Sequence, residues 1–177
     1  MKKPQLMLTL FAATFLPSAW LQWRYIKRVN LDETAAILFS SGSESLPKAI
    51  ILSNRNIAAN ARQVADTLNT RDNVIIMGTL PTLHAFGFLA ATIMPLSEGI
   101  PLICHPDPTD GLNIAKGVAR YEATVLFGTA TFLRLYARNT RIHPLMMQSL
   151  RIVVAGAEKL TPEVRRVFNE RFGKSIY

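Results

Sequence analysis

Six short apolar runs constrain this chain more than any other feature. They fall at residues 35–39, 49–52, 74–77, 101–104, 124–127 and 151–155, are rich in Ile, Val, Leu and Ala, and are bounded by turn residues. Stretches with helical spacing lie between most of them. In residues 54–69, Ile57, Ala58, Ala61, Val64, Ala65 and Leu68 recur at helical intervals behind Ser53, a candidate N-cap. In residues 162–172, Val164, Val167, Phe168 and Phe172 share one face behind Thr161-Pro162, a strong helix start. Apolar runs without polar alternation suit strands covered on both sides. Their alternation with helices predicts an α/β fold, a largely parallel sheet with helices on both faces. Ligands of such sheets bind beyond the carboxyl ends of the strands. Gly128-Thr129 and Gly156-Ala157 each follow a strand, so that rule points to both. There is no internal repeat, and 177 residues suffice to bury a sizeable core.

The connection between the first two runs reads as a hairpin-like loop and is chemically distinctive. It reads Ser40-Ser41-Gly42-Ser43-Glu44-Ser45-Leu46-Pro47-Lys48. Backbone N–H groups and hydroxyls on such a loop can surround phosphate oxygens, with the Lys48 ammonium nearby. It is not a Walker A loop. That motif has glycine before its lysine and Ser or Thr after it, whereas Pro47 precedes Lys48 and Ala49 follows. Proline removes a donor from the cradle, and alanine cannot ligate magnesium.

This loop resembles the phosphate loop of the AMP-forming adenylating superfamily, the acyl-CoA synthetases and their relatives. Glu44, where threonine is commoner, is similar to the branch containing bacterial acyl-acyl carrier protein synthetase fused to 2-acylglycerophosphoethanolamine acyltransferase. Ser45 departs from the pattern, which has glycine there. Three further stretches match in the family's order. Leu80-Pro81-Thr82-Leu83-His84-Ala85-Phe86-Gly87 resembles the Pro-x-x-His-x-x-Gly stretch at the acyl channel. Residues 125–133 resemble the strand-to-helix turn before a substrate-lining helix. Ile152 to Leu160 resembles the Gly-Ala-x-x-Leu element beside the adenine and acyl pockets.

The resemblance implies the large N-terminal domain of the adenylating fold and a two-step ligase reaction using ATP and Mg2+. A fatty acid carboxylate attacks the α-phosphorus, and a thiol, that of acyl carrier protein, then displaces AMP; a long-chain fatty acyl-CoA synthetase, with CoA as acceptor, is the alternative. It assigns Ser40, Ser41, Gly42, Ser43, Glu44 and Lys48 to the phosphates, and Gly156, Ala157 and Glu158 to the adenine side. His84, Phe86, Gly128 and Thr129 fall to the acyl substrate, with Lys48 and His84 as the catalytic pair. The chain stops at Lys174-Ser175-Ile176-Tyr177, just before the Tyr-Gly-x-Thr-Glu motif of the family. The magnesium glutamate, the ribose aspartate and the C-terminal domain with its lysine are expected beyond it. The expectation is therefore a piece of the adenylation domain that does not turn over alone, with residues 31–177 as partial domain and residues 1–30 as lead-in.

Charge separates those two parts. Residues 1–30 hold Lys2, Lys3, Arg24, Lys27 and Arg28 with no acid, +5 of the net +8; the other 147 residues carry 15 basic and 12 acidic side chains. A basic surface attracts anionic headgroups or an acidic carrier protein. No nucleic-acid motif or basic–aromatic interleaving is present. The twenty uncharged residues from Pro4 to Trp23 imitate a signal peptide or short membrane span. Pro17, Gln5, Gln22, Thr9, Thr14 and Ser18 dilute that stretch, so an internal helix is the preferred reading over a leader or an anchor. The localisation expected is the cytoplasmic side, with inner-membrane association, and a lysophospholipid joins the candidate partners. Cys104 ends an apolar run and reads as a buried, inert thiol; a single cysteine excludes an internal disulfide. No zinc-ligand spacing occurs. Two other classes stay open: a non-catalytic nucleotide- or acyl-binding module, and a secreted or anchored α/β protein.

Overall fold

Residues 7, 11–12, 14–25, 29–40, 48–69 and 73–177 are described by a computed structural model of the chain. Two compact units result, Met1–Glu33 and Thr34–Tyr177. In the first, helix α1 (Ser18–Tyr25) starts behind Pro17, whose carbonyl accepts from the Trp20 and Leu21 amides, and none of its residues is buried. Among the described residues no helix is long and apolar enough to cross a membrane.

The second unit is α/β. Strands β1 (Thr34–Ser40) and β2 (Lys48–Ser53) form an antiparallel hairpin of their own, with Ser40 opposite Lys48 and Ile37 opposite Ile51. Helix α2 (Asn54–Leu68) follows and packs against both strands. Its start is a reciprocal cap: Ser53 Oγ accepts from the Asn56 amide at 3.2 Å, and Asn56 Oδ1 accepts from the Ser53 amide at 3.0 Å.

Strands β3 (Ile76–Gly78), β4 (Leu102–Cys104), β5 (Val125–Gly128) and β6 (Ile152–Ala155) form one parallel sheet in the order β4-β3-β5-β6. Thr124 ties its centre together, its Oγ1 accepting from the Ile75 amide at 3.0 Å while its own amide donates to the Ile75 carbonyl at 2.8 Å. Both faces are covered, and the strand residues divide accordingly. Ile76, Val125 and Phe127 join α2, the helical run from α3 (Ala85–Phe88) through a π turn (Leu89–Ile93) to α4 (Met94–Glu98). Met77, Leu126 and Val153 point the other way, into a core with α5 (Gly111–Tyr121), α6 (Ala130–Arg138) and α7 (Pro162–Phe172). This alternation is the pleat expressed as two hydrophobic cores.

The parallel sheet thus takes the last four apolar runs, and the first two form the hairpin. The first two runs pair with each other because only seven residues join them, too few for the crossover that parallel strands require. Cys104 corrects an expectation: it is exposed rather than buried, at the end of the edge strand β4.

The π turn has a local cause. Pro95 has no N–H, and its ring would crowd the carbonyl one turn back. The Met94 amide accordingly reaches five residues back to Leu89, and Thr92 Oγ1 donates to the Gly87 carbonyl at 3.2 Å.

Tyr136 anchors α6 from within the core. Its ring is fully buried and its hydroxyl donates to the Pro108 carbonyl at 2.7 Å, while burial raises the phenol pKa well above its ordinary value. Tyr136→Phe should lower stability by about 1 kcal/mol, since it strands that carbonyl. Urea unfolding reads the change, and an unmoved midpoint would mean that the hydrogen bond contributes nothing.

Candidate active site

The carboxyl ends of β3, β5 and β6 open onto a cleft of about 270 Å³. Three segments far apart in sequence build it: Leu80, Pro81, His84, Phe86 and Gly87; Thr129 and Phe132; Ala157 and Glu158.

Each wall is held by identifiable contacts. His84 is the exposed N-cap of α3, and its side chain makes no capping hydrogen bond, which leaves the imidazole open to the cleft. Gly87 lies against the preceding turn so closely that a Cβ there would collide with the Pro81 carbonyl and crowd the Leu80 oxygen. That closeness curls residues 81–84 back over α3. The Phe86 ring stands edge-on to Phe127 of β5, with centroids 5.9 Å apart. A Cβ on Gly156 would lie 2.6 Å from that same ring. Glycine at 156 thus lets Phe86 reach the sheet.

The polar side is organised around the start of α6. Thr129 is its N-cap, with Oγ1 accepting from the Phe132 amide at 3.4 Å. Glu158 Oε2 accepts from the Thr131 amide at 2.9 Å, setting a carboxylate on the positive end of that helix. Ala157 makes this possible by adopting φ +65°, a conformation that L-residues with a Cβ rarely take. The backbone strain sits in the cleft wall, where such strain commonly serves function.

His84, Phe86, Thr129, Ala157 and Glu158 are thus brought together from the residues singled out above. Gly156 stands just behind them. Gly128 does not line the cleft; it is buried, with a would-be Cβ 3.0 Å from Leu133, and its carbonyl accepts from the Gly156 amide at 3.1 Å. Lys48 is exposed at the start of β2, paired with the Ser40 backbone on the hairpin. Ser41, Gly42, Ser43 and Glu44, with Ser45 beside them, lie outside the described residues. Leu80, Pro81, Gly87 and Phe132 are additional lining residues. They sat inside the matched stretches, but composition alone gave no reason to separate them from core.

The shifted carboxylates lie elsewhere. Asp110, N-cap of α5, is held below the usual range by hydrogen bonds from the Asn113 side chain and backbone, and Asp107 by Thr109. They fix the 107–113 turn beside a second, more apolar cleft lined by Leu80, Leu102, Cys104 and His105. Among the described residues no group of three His, Cys, Asp or Glu could hold a metal ion.

An open parallel sheet with a mixed apolar and polar cleft at its carboxyl ends defines an α/β domain that takes its ligand at that edge. Residues 6–177 match the model of the AMP-binding enzyme family, and the chain belongs to that family. Probable 4-coumarate–CoA ligase 2 of Dictyostelium discoideum is 30% identical over 155 residues, covering 85% of this chain and 28% of that protein. The medium-chain fatty-acid–CoA ligase of Escherichia coli (strain K12) is 29% identical over 140 residues, covering 79% and 25%. ATP-bound MatB from Rhodopseudomonas palustris superposes with a TM-score of 0.73 at 25% identity, over 84% of this chain and 29% of that one. The fatty acyl-adenylate ligase of L. pneumophila, solved with acyl adenylate and pyrophosphate, shares the fold at TM-score 0.74 and 22% identity, over 83% and 27%. The chain spans little more than a quarter of the length of these relatives.

Proposed function

We propose that the protein carrying this segment activates a carboxylic acid with ATP and passes the acyl group to a thiol. The observation that supports this best is the convergence of His84–Gly87, Thr129–Phe132 and Ala157–Glu158 on one cleft beyond the sheet. Its lining by Leu80, Pro81, Phe86 and Phe132 suits an apolar acid such as a fatty acid.

In the first step the carboxylate oxygen bonds to the α-phosphorus of ATP, and the bond to the bridging oxygen breaks to release pyrophosphate. The acid is already ionised at neutral pH, so no general base is needed. Catalysis then rests on positioning and charge stabilisation. Phe86 and Phe132 hold the chain of the acid, and His84 at the cleft mouth orients its carboxylate. The loop from Ser40 to Lys48 would hold the β- and γ-phosphates, with Lys48 offsetting the charge of the leaving group. Glu158 is a positioning residue. Because it accepts from Thr131, it sets the turn of Gly156 and Ala157 against the adenylate. In the second step the thiol sulfur attacks the acyl carbon and AMP leaves.

CoA as the thiol acceptor is supported by the names of the relatives, which are CoA ligases. Acyl carrier protein is the second reading, favoured by Glu44 in the phosphate loop; with it goes a parent that also reacylates a lysophospholipid. Rates of thioester formation with each acceptor separate the two.

The test is fatty-acid-dependent exchange of labelled pyrophosphate into ATP by protein made from the complete reading frame. His84→Ala should lower kcat/KM for the acid by about tenfold to a hundredfold, the scale of a misplaced reactant. KM for ATP should stay near the parent value. Absence of acid-dependent exchange overturns the adenylation reading, and an unchanged acid kcat/KM overturns the role of His84.

A further inference from the structure

Two polar side chains are buried among the described residues, Thr79 and Thr124, and they clamp opposite ends of one strand pair. A buried hydroxyl is costly unless it is hydrogen-bonded, and valine has a similar shape without that cost. Thr124 stands just ahead of β5 and holds the Ile75 backbone just ahead of β3. The ladder then pairs Ile76 with Val125 and Met77 with Leu126. Past the last of these pairs, Thr79 Oγ1 donates to the Phe127 carbonyl at 3.3 Å. The same hydroxyl stands beside the Tyr136 phenol of α6, where it opposes the rise in phenol pKa that burial brings.

Both residues joined by this bond lead into the acid cleft. Leu80 and Pro81, which line it, follow Thr79 directly, and the Pro81 carbonyl accepts from the His84 amide at 3.2 Å. Phe127 carries the ring to which Phe86 stands edge-on. One hydrogen bond therefore spans the turn bearing His84 and the strand supporting Phe86. Thr79 and Phe127 are each only 1% exposed within this chain, so no other part of the protein reaches that bond. We infer that Thr79 is a positioning residue for the acid, holding His84 and Phe86 in place across the cleft through the Phe127 carbonyl. The inference rests on the adenylation reading for the identity of the ligand.

Thr79→Val removes the hydroxyl and keeps the shape, and Thr124→Val does the same at the far end of the strands. In protein made from the complete reading frame, Thr79→Val should raise KM for the acid. Its kcat/KM should fall by about tenfold, where displacement of a reactant by about an ångström costs roughly a hundredfold. KM for ATP should hold, and Thr79→Ser, which keeps the donor, should recover most of the loss. Thr124→Val should lower the urea midpoint without moving either KM. Unchanged acid kinetics in Thr79→Val overturn the inference, as does an equal loss in Thr124→Val or in Thr79→Ser. Deuterium uptake by backbone amides is a second readout that needs no activity. Residues 84–88 should take up deuterium faster in Thr79→Val than in the parent or in Thr124→Val, with α7 unchanged. A parent without acid-dependent pyrophosphate exchange sinks the adenylation reading alone, whereas equal protection of residues 84–88 in the two valine variants sinks the role of Thr79.

Discussion

Gly87→Ala should unfold the cleft wall before it unfolds anything else. The added methyl has no flexible neighbour to push aside: it meets the carbonyl of Pro81 and the oxygen of Leu80, both backbone. Relief requires the 81–84 turn to lift from α3, and overpacking of that kind costs about 1–3 kcal/mol or more. The same turn carries His84, so acid-dependent exchange should fall further than the loss of folded protein explains. Gly99→Ala is the matching control. It has open space around its Cβ but φ +68°, so it tests backbone conformation without collision, at about 1–2 kcal/mol. Urea midpoints and exchange rates of the two variants decide the matter. If Gly87→Ala loses no more activity than Gly99→Ala at equal folded fraction, the close approach at Pro81 does not shape the site.

Phe127→Ala and Leu126→Ala form the second comparison, on neighbouring residues of β5 that face opposite cores. Both side chains are buried, and truncation should cost about 3–5 kcal/mol for Phe127 and about 2–5 kcal/mol for Leu126. Similar losses in stability should accompany different effects on the reaction. Phe127 supports the Phe86 ring in the cleft, and its removal should raise KM for the acid several-fold under conditions where the variant stays folded. Leu126 faces α5, α6 and α7, and its removal should leave that KM unchanged. Equal shifts in KM from the two variants would show that Phe86 does not depend on its partner in β5.

Much of the architecture was legible because strand and helix periods are written directly into apolar spacing. Residues 162–172 became α7 at the same boundaries, and Ser53 became the cap of α2. Ile37 and Ile51 belong to runs that look like those around Ile76 and Val125, and the short Ser/Gly-rich link, read as a hairpin-like loop, is what sets them apart. What spacing could not give was the exposure of Cys104, which depends on its strand lying at the sheet edge. At the candidate site, the family-like stretches marked His84, Phe86, Thr129, Ala157 and Glu158. The contacts that assemble them were not readable. Glu158 closing on the α6 amide, Ala157 at positive φ and Phe86 resting over Gly156 are long-range results of chain packing, invisible to local pattern.

The π turn at Leu89–Ile93 makes chain length a design variable. A π turn amounts to one residue added to an α-helix, and each residue of an α-helix advances the chain by about 100° around the axis. The wider turn absorbs that residue, so α3 and α4 stay in phase across it. An insertion into the α-helical turn beside it, with nothing to absorb the extra residue, would swing α3 by that angle relative to the buried Met94 and Pro95. Phe86 and His84 would then leave the cleft together, with every side chain chemically intact. The acid pocket is thus aimed by residue count as well as by residue identity.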